Sequence, residues 1–217
     1  KPEYTWNYEI GSHLTLWEGR LLADLSAFYM DTRNQQIAKF AENGLGRITV
    51  NAGKSHSYGA EASLRAALTT AFTVNASYGY TYATFKEYAT NVKVDGETKE
   101  ISYNGNYVPF VPKHTLSLGG QYIFRINPGH WLDRIQVNAN YTGAGRIYWT
   151  EQNDVSQSFY GILNGRLSLQ KGNGQIDFWV RNALDKDYAA FYFESMGNGF
   201  MQKGRPIQAG IELRCRF

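Results

Sequence analysis

The first candidate for chemistry in this chain is an oxygen-rich run from Asn182 to Tyr188, which includes Asp185 and Asp187. Carboxylates at this spacing could contribute to a calcium site, but calcium needs several more converging oxygens than the run supplies. An Asn-x-Leu-Asp sequence can also form a bend whose side chains bond to the nearby backbone. Of these two roles, we expect the structural one.

The other residues able to do chemistry are spread thinly along the chain. They are His13, His56, His114, His130 and Cys215. A metal site needs converging ligands, and a nucleophile needs a base held beside it. No Gly-x-Ser-x-Gly, Walker A or His-Glu-x-x-His pattern occurs in the sequence. We therefore expect no catalytic site, no bound metal and no cofactor, and the single cysteine excludes a disulfide within the chain.

Charged and apolar residues alternate without a break at the end of the chain. One face of this predicted strand would carry Ala209, Ile211, Leu213, Cys215 and Phe217, and the other Gly210, Glu212, Arg214 and Arg216. This layout is typical of a membrane β-barrel, whose apolar side chains meet lipid and whose charged side chains face the lumen. A charge turned toward lipid at mid-membrane costs about 2–4 kcal/mol, so the alternation predicts which face looks inward.

The composition permits a membrane barrel and limits the alternatives. The chain has 217 residues, a net charge of +3 and 15% aromatic residues. It has no run of about 18 apolar residues that could form a transmembrane helix. Alternation cancels in a hydropathy average, so a mean hydropathy of −0.44 does not exclude a barrel. The small net charge gives no reason to expect nucleic acid as a partner.

Alternating segments separated by turns predict nine strands and no helix. Their approximate ranges are 3–16, 20–35, 47–68, 72–86, 107–125, 133–149, 158–171, 174–192 and 204–217. Short turns fall at 17–20, 68–71 and 171–174, and longer polar loops at about 87–106, 150–157 and 194–203. This is the sidedness of an outer-membrane barrel.

The predicted number of strands is odd. Nine strands that end on the short-turn side must begin on the long-loop side, whereas bacterial barrels have an even number of strands. We therefore expect the C-terminal part of a larger barrel.

Five short motifs, in order along the chain, resemble those of the TonB-dependent outer-membrane receptors. They are Lys1-Pro2-Glu3 with Asn7-Tyr8-Glu9-Ile10-Gly11, Asn51-Ala52-Gly53-Lys54-Ser55 with Ser57-Tyr58-Gly59-Ala60-Glu61, Val111-Pro112-Lys113-His114-Thr115-Leu116, Asn182-Ala183-Leu184-Asp185-Lys186-Asp187-Tyr188, and Gly204-Arg205-Pro206 before the final strand. Each motif is weak alone, but their order and spacing over the whole chain make the resemblance specific. The last motif of the family usually has Arg after the proline, where this chain has Ile207.

The resemblance implies an all-β fold, an antiparallel transmembrane β-barrel of 22 strands around an N-terminal plug. Residues 1–217 would form its C-terminal portion of about nine strands, and the plug domain and the N-terminal strands would lie outside this chain. It further implies the outer membrane of a Gram-negative bacterium and active transport of a scarce ligand, with energy from the TonB complex acting through the plug. An iron–siderophore complex is the commonest cargo in the family, and cobalamin, haem or oligosaccharide stay open. Outer-membrane lipid and the barrel-insertion machinery are the other implied partners.

Two sets of functional residues are predicted. The charged residues expected to face the lumen or the plug are Glu9, Glu61, Arg65, Arg166 and Arg214. They could bind a charged substrate, but we expect them to pair with one another or to hold the plug. The aromatic residues proposed to bind ligand from the outer loops are Tyr88, Tyr103, Trp149, Tyr192 and Phe200. The alternative role for aromatic residues in these loops is the outer girdle at the membrane interface.

Other functions stay open on the sequence alone. A passive porin-like channel would share the wall but lack a plug. An outer-membrane enzyme would need a His with a Ser or Asp near one rim. A soluble glycan-binding β-sandwich would also use the aromatic excess, and it would be expressed without detergent.

Phe217 and the strand before it are the predicted recognition element for the barrel-insertion machinery. Deleting Phe217 from the full-length receptor should lower the amount of folded protein at the cell surface severalfold, because the terminal aromatic residue is lost. Surface labelling of intact cells measures this amount. The control variant Phe217→Tyr keeps an aromatic end and should assemble normally, and normal surface levels after the deletion would contradict the assignment.

Overall fold

The fold is that of a computed structural model, which describes residues 1–40, 47–51, 53–94 and 97–216. Every regular element in these ranges is a β-strand. In chain order the strands are β1 (Tyr4–Leu16), β2 (Leu21–Arg33), β3 (Gln36–Phe40), β4 (Arg47–Asn51), β5 (Lys54–Ala67), β6 (Phe72–Glu87), β7 (Ala89–Val94), β8 (Glu97–Ser102), β9 (His114–Arg125), β10 (Arg134–Gly145), β11 (Ile147–Tyr148), β12 (Ser156–Gln157), β13 (Tyr160–Lys171), β14 (Gly174–Arg181), β15 (Ala189–Ser195), β16 (Asn198–Lys203) and β17 (Gln208–Cys215). Within the described ranges, no helix has the length and apolar character needed to cross a membrane.

Nine of these strands form one antiparallel sheet in the order β1-β2-β5-β6-β9-β10-β13-β14-β17. Each strand pairs with the next member of the sheet along the chain, so the sheet is a simple meander. The longest strand, β6, has 16 residues, whereas about 9–11 residues of a tilted strand suffice to cross a bilayer. The longer strands can therefore span a membrane and project beyond it. The predicted antiparallel all-β fold and its nine strands are confirmed.

The two ends of the sheet carry different connections. At one end the strands are joined by turns at 17–20, 68–71, 126–133 and 172–173. At the other end each connection contains a two-stranded ribbon, namely β3–β4, β7–β8, β11–β12 or β15–β16. The predicted separation of short turns from long loops is confirmed, and we call the two ends the turn end and the loop end.

Some predicted strands are longer than the observed ones, for local reasons. The predicted strand 107–125 begins only at His114, because Pro112 has no amide hydrogen to donate to a ladder. The predicted strand 174–192 stops before Asn182, whose φ is 48° and therefore left-handed. Three further predicted strands are also longer than the observed ones. The predicted strand 47–68 is split into β4 and β5. The predicted strand 133–149 corresponds to β10, which ends at Gly145, and the predicted strand 204–217 corresponds to the shorter β17. Phe217 itself lies outside the described residues.

Side chains divide between the two faces of the sheet. The register places Asn75, Gly119, Asn140 and Asn164 side by side on one face, and Ala76, Leu118, Tyr141 and Leu163 on the other. We call these the polar face and the apolar face. On the apolar face Ile10, Ile211 and Leu213 are 75%, 65% and 73% exposed. Exposed apolar surface of this extent marks a lipid or protein contact rather than a face in water.

Two neighbouring turns at the turn end, 126–133 and 172–173, are tied to each other through Asp133. Lys171 Nζ donates to Asp133 Oδ1 at 2.7 Å and to the backbone oxygen of His130 at 2.8 Å. The backbone amide of Gly172 donates to Asp133 Oδ2 at 2.8 Å. The bond from Gly172 and the nearby Lys171 ammonium lower the pKa of the Asp133 carboxyl, because both favour its charged form.

This carboxylate should make stability depend on pH. A group whose pKa is lower in the folded state stabilises the fold above its unfolded pKa of about 3.9, and this contribution is lost as the pH falls through the folded pKa. The unfolding temperature of the full-length receptor should therefore drop from pH 5 to pH 3, and the drop should be smaller in the Asp133→Asn variant. Asp187→Asn, at the other end of the sheet, serves as the control, and identical pH profiles for wild type and Asp133→Asn would refute the prediction.

Candidate functional site

Two connections at the loop end are bound together by an asparagine. Asn153, in loop 146–159, faces the backbone of Tyr107, in loop 88–113. Its Oδ1 accepts a bond from the Tyr107 amide at 2.6 Å, and its Nδ2 donates to the Tyr107 backbone oxygen at 3.0 Å. Asn106 adds a 2.8 Å bond to the backbone of loop 146–159. The two loops therefore form one unit.

A third connection, loop 182–207, joins this unit through Phe110 and Gln157. The ring of Phe110 stacks on Phe191 with centroids 5.6 Å apart, and it meets Trp149 edge-on at the same distance. Gln157 Oε1 accepts a 2.8 Å bond from the backbone of loop 182–207. We call these three joined connections the loop layer.

Three of the five aromatic residues predicted to bind ligand are buried inside the loop layer. Tyr88 and Tyr103 are each 4% exposed and pack beside Phe85, with Phe85–Tyr88 centroids 4.8 Å apart and Tyr88–Tyr103 centroids 5.3 Å apart. Burial raises the pKa of the Tyr88 hydroxyl, with a smaller contribution from the Glu151 carboxylate. Trp149 is 8% exposed and packs in a second cluster. In this structure these rings support the loops.

The other two predicted aromatic residues lie on the ribbon β15–β16. Phe200 is 47% exposed, and its ring stacks on Phe193 with centroids 5.1 Å apart. Tyr192 donates its hydroxyl to Glu194 at 3.0 Å, and this bond raises the pKa of the Tyr192 hydroxyl. The structure therefore does not bring the five residues into one surface, and ligand binding by them stays a prediction.

The run from Asn182 to Tyr188 forms a bend held by its own side chains. Asn182 is 3% exposed, and its Nδ2 donates to the backbone oxygens of Lys186 at 3.1 Å and Arg205 at 3.0 Å. Asp185 Oδ1 accepts from the backbone amide of Ile207 at 2.8 Å. These bonds fix where loop 182–207 leaves and rejoins the sheet. The predicted structural role is confirmed.

All five charged residues predicted to face the lumen lie on the polar face, and two of them, Arg166 and Arg214, form ion pairs with other described residues. Arg166 Nη1 lies 3.4 Å from Asp177 Oδ2 and 3.2 Å from Glu212 Oε2. Arg214 Nε lies 2.8 Å from Glu212 Oε1, and Arg214 Nη2 lies 3.6 Å from Asp177. Asp177 has no exposed surface, and Gln175 donates to its other oxygen at 2.9 Å. We call Arg166, Asp177, Glu212 and Arg214 the charge cluster.

Glu9, Glu61 and Arg65 have no ion-pair partner among the residues that the structure describes. These three residues lie on β1 and β5, several strands away from the charge cluster. Of the two expected roles, pairing with one another is seen for Arg166 and Arg214 through nearby carboxylates, and contact with the plug stays a prediction for the other three. Sequence reasoning also missed two carboxylates on the polar face. Asp177 alternates with apolar neighbours and could have been found, and Asp24 pairs with His13 across β1 and β2.

Comparison with known proteins decides what kind of sheet this is. Residues 1–183 match the family described as TonB dependent receptor-like, beta-barrel. The chain belongs to this family. It is 27% identical over 201 residues to the ferrichrome outer membrane transporter/phage receptor of Escherichia coli (strain K12), which covers 90% of this chain and 24% of that protein. It is 26% identical over 218 residues to the pesticin receptor of Yersinia pestis, which covers 99% of this chain and 29% of that protein.

The fold agrees with this TonB-dependent receptor family. The ferric yersiniabactin uptake receptor of Yersinia pestis superposes on 99% of the chain with a TM-score of 0.80 at 21% identity, over 30% of its own length. The chain thus spans 24% to 30% of the length of these relatives. The protein is located in the outer membrane of a Gram-negative bacterium, as predicted.

Among the described residues, no group of three or more His, Cys, Asp or Glu could hold a metal ion.

The charge cluster should behave as a coupled unit. Arg166→Gln in the full-length receptor leaves Asp177 buried with one more distant cation, and we expect it to lower the free energy of unfolding by about 1–3 kcal/mol. This is less than the roughly 3–5 kcal/mol of a fully buried pair, because Arg166 is partly exposed to solvent. The double variant Arg166→Gln/Asp177→Asn should recover part of the loss.

Arg65→Gln is the matched control, since Arg65 lies on the same face without an ion-pair partner in the described residues. Denaturant unfolding of wild type, Arg166→Gln, Asp177→Asn, the double variant and the Arg65→Gln control measures the coupling. Additive losses in the double variant would show that the two side chains do not act together.

Proposed function

We propose that the complete protein is an outer-membrane receptor that takes up a scarce ligand, an iron–siderophore complex, with energy supplied by TonB. The observation that carries the proposal is a two-faced sheet with a joined loop layer at one end, in a chain of the TonB-dependent receptor family. Support comes from the names of its relatives, which include a ferrichrome transporter, a ferric yersiniabactin uptake receptor and a metal-pseudopaline receptor.

Residues 1–217 would form the C-terminal part of the receptor barrel, with the plug and the other strands supplied by sequence outside this chain. The share of each relative that the chain matches supports this division. The polar face would line the lumen, since each charge turned toward lipid at mid-membrane costs about 2–4 kcal/mol. The charge cluster neutralises itself, whereas Glu9, Glu61 and Arg65, which have no ion-pair partner among the described residues, would meet charged groups of the plug.

The loop layer would form part of the outer vestibule. Its buried rings make the loops rigid, so less ordering is needed when a ligand binds. Two of the predicted ligand-binding rings lie on the ribbon β15–β16 and could reach a ligand. The ring of Phe200 is partly exposed, and the hydroxyl of Tyr192 bonds to Glu194 at the surface. The TonB complex would act through the plug, and the barrel-insertion machinery would recognise the final strand. We propose no enzymatic activity.

Uptake measurements test the transport proposal. Cells that express the full-length receptor should accumulate radioactive iron from a panel of ferric siderophores when TonB is present and should lose this accumulation when TonB is deleted. Binding at the cell surface should persist without TonB. Uptake that is unchanged without TonB would favour the passive porin-like channel, and failure to bind any metal chelate would contradict the assignment of cargo.

An exposed ring on the ribbon should contribute to affinity for the cargo. Phe200→Ala should weaken surface binding about 3- to 10-fold, because the stacking of one aromatic pair is worth about 0.5–1.5 kcal/mol. Equilibrium binding to intact cells measures the change at matched receptor levels. Met196→Ala, at the tip of the same ribbon, is the control for general damage, and equal affinities for all three proteins would exclude Phe200 from the site.

A further inference from the structure

One row of side chains crosses five neighbouring strands on the polar face, next to the turn end. The register pairs Arg125 of β9 with Arg134 of β10, Arg134 with Gln170 of β13, Gln170 with Gln175 of β14, and Gln175 with Arg214 of β17. We call these five residues the arginine row. Each of them is a cation or an amide, so the row offers many hydrogen-bond donors and no carboxylate.

Arg125 and Arg134 form a like-charge pair across two strands. Residues directly opposite each other in an antiparallel sheet have Cβ atoms about 4.5–5.5 Å apart, and like charges at such positions repel each other. In the part of the chain that the structure describes, neither arginine has a carboxylate within ion-pair distance. An anion held between the two guanidinium groups would replace this repulsion by attraction.

The charge cluster shows that the sheet can neutralise arginines with its own residues. The two arginines of that cluster share Asp177 and Glu212, which lie in the next row toward the loop end. The same row continues as Gln136 on β10 and Ile123 on β9. Carboxylates at these two positions would have lain beside the other arginine pair. The sheet therefore neutralises one arginine pair and leaves the other open to a ligand.

Arg134 is held in position by a chain of amides along β10. Its Nη2 donates to Gln136 Oε1, and Gln136 Nε2 donates to Asn138 Oδ1 at 3.3 Å. The Nε of Arg134 is buried and has no hydrogen-bond partner among the described residues. A guanidinium that is already oriented loses less freedom when it binds an oxyanion. Its donors are also not saturated by the protein, so it keeps bonding capacity for a ligand.

We propose that Arg125 and Arg134 bind a carboxylate of the cargo where the lumen opens at the turn end. Each guanidinium matches the two oxygens of a carboxylate with parallel hydrogen bonds. Gln170, opposite Arg134, supplies a further amide donor. The ligand class is therefore a metal chelate with free carboxylate groups. This inference rests on the proposed function and adds a contact at the end of the lumen through which the cargo would leave.

Binding of a small polycarboxylate to the purified full-length receptor tests the site directly. The probe is tricarballylate, followed by isothermal titration calorimetry, and its trimethyl ester is the uncharged counterpart. Arg125→Gln/Arg134→Gln should weaken the binding of tricarballylate by about 10-fold or more, because a hydrogen bond between charged groups contributes about this factor. The trimethyl ester should bind neither protein.

Two further variants separate this site from a general effect of charge. Arg125→Lys/Arg134→Lys keeps both charges but loses the planar fork, so its affinity should lie between those of wild type and the glutamine variant. Arg33→Gln/Lys86→Gln removes two cations from the apolar face and should leave the affinity unchanged. The proposal is overturned if wild type does not prefer tricarballylate to its ester, or if the glutamine variant keeps wild-type affinity. Unchanged affinity with a lower unfolding temperature would assign the two arginines to the plug instead.

Uptake by intact cells separates failure of this inference from failure of the proposed function. In Arg125→Gln/Arg134→Gln, TonB-dependent uptake of ferric chelates with free carboxylates should slow severalfold, whereas surface binding and uptake of uncharged ferric trihydroxamates should not change. If wild type takes up no chelate at all, the proposed function is contradicted, and the tricarballylate titration still decides the arginine site. Equal slowing of both chelate classes would overturn the role of a carboxylate.

Discussion

Every feature of this chain depends on the need to satisfy backbone hydrogen bonds where no water is available. In hydrocarbon each unpaired amide or carbonyl costs several kcal/mol, so a membrane-spanning strand must be paired with neighbours. The nine strands meet this need with a continuous antiparallel ladder from β1 to β17. Once the backbone is fixed in this way, side chains must alternate between the two faces. The separation into a polar and an apolar face follows directly.

At the loop end, both the hydrogen-bond partners of the backbone and the packing of the side chains change. There the chain leaves the ladder and builds small interiors of its own, such as the cluster of Phe85, Tyr88 and Tyr103 and the cluster around Trp149. Backbone groups that lose ladder partners are bonded instead by asparagine side chains. Asn153 joins two loops, and Asn182 closes a third. The outcome is a set of loops that hold a defined shape above a sheet with little interior of its own.

Charged residues show how strongly environment decides their role. Arg166 and Arg214 share two carboxylates on the polar face, in contact with a fully buried Asp177. Lys86 and Lys113 instead lie over tyrosine rings on the opposite face. The first group is neutralised by residues of the same sheet, whereas the second retains positive charge. The two faces of the sheet are therefore separate surfaces that differ in their charge.

The sequence by itself determined the number of strands in the main sheet, the two faces and the separation of turns from loops, because period-two alternation and turn residues are local properties. It also determined the bend at Asn182, whose bonds are mostly to nearby backbone. The tertiary structure alone decided which loop aromatics are buried, since Tyr88 and Phe200 both lie in connections at the loop end and differ in how much packs on them. It also decided which charges find partners: Arg166 meets Glu212 across 46 positions of sequence, whereas the register leaves Glu61 opposite a glycine and a serine. Contacts between distant segments follow from strand register and loop packing, and neither is encoded in a local pattern.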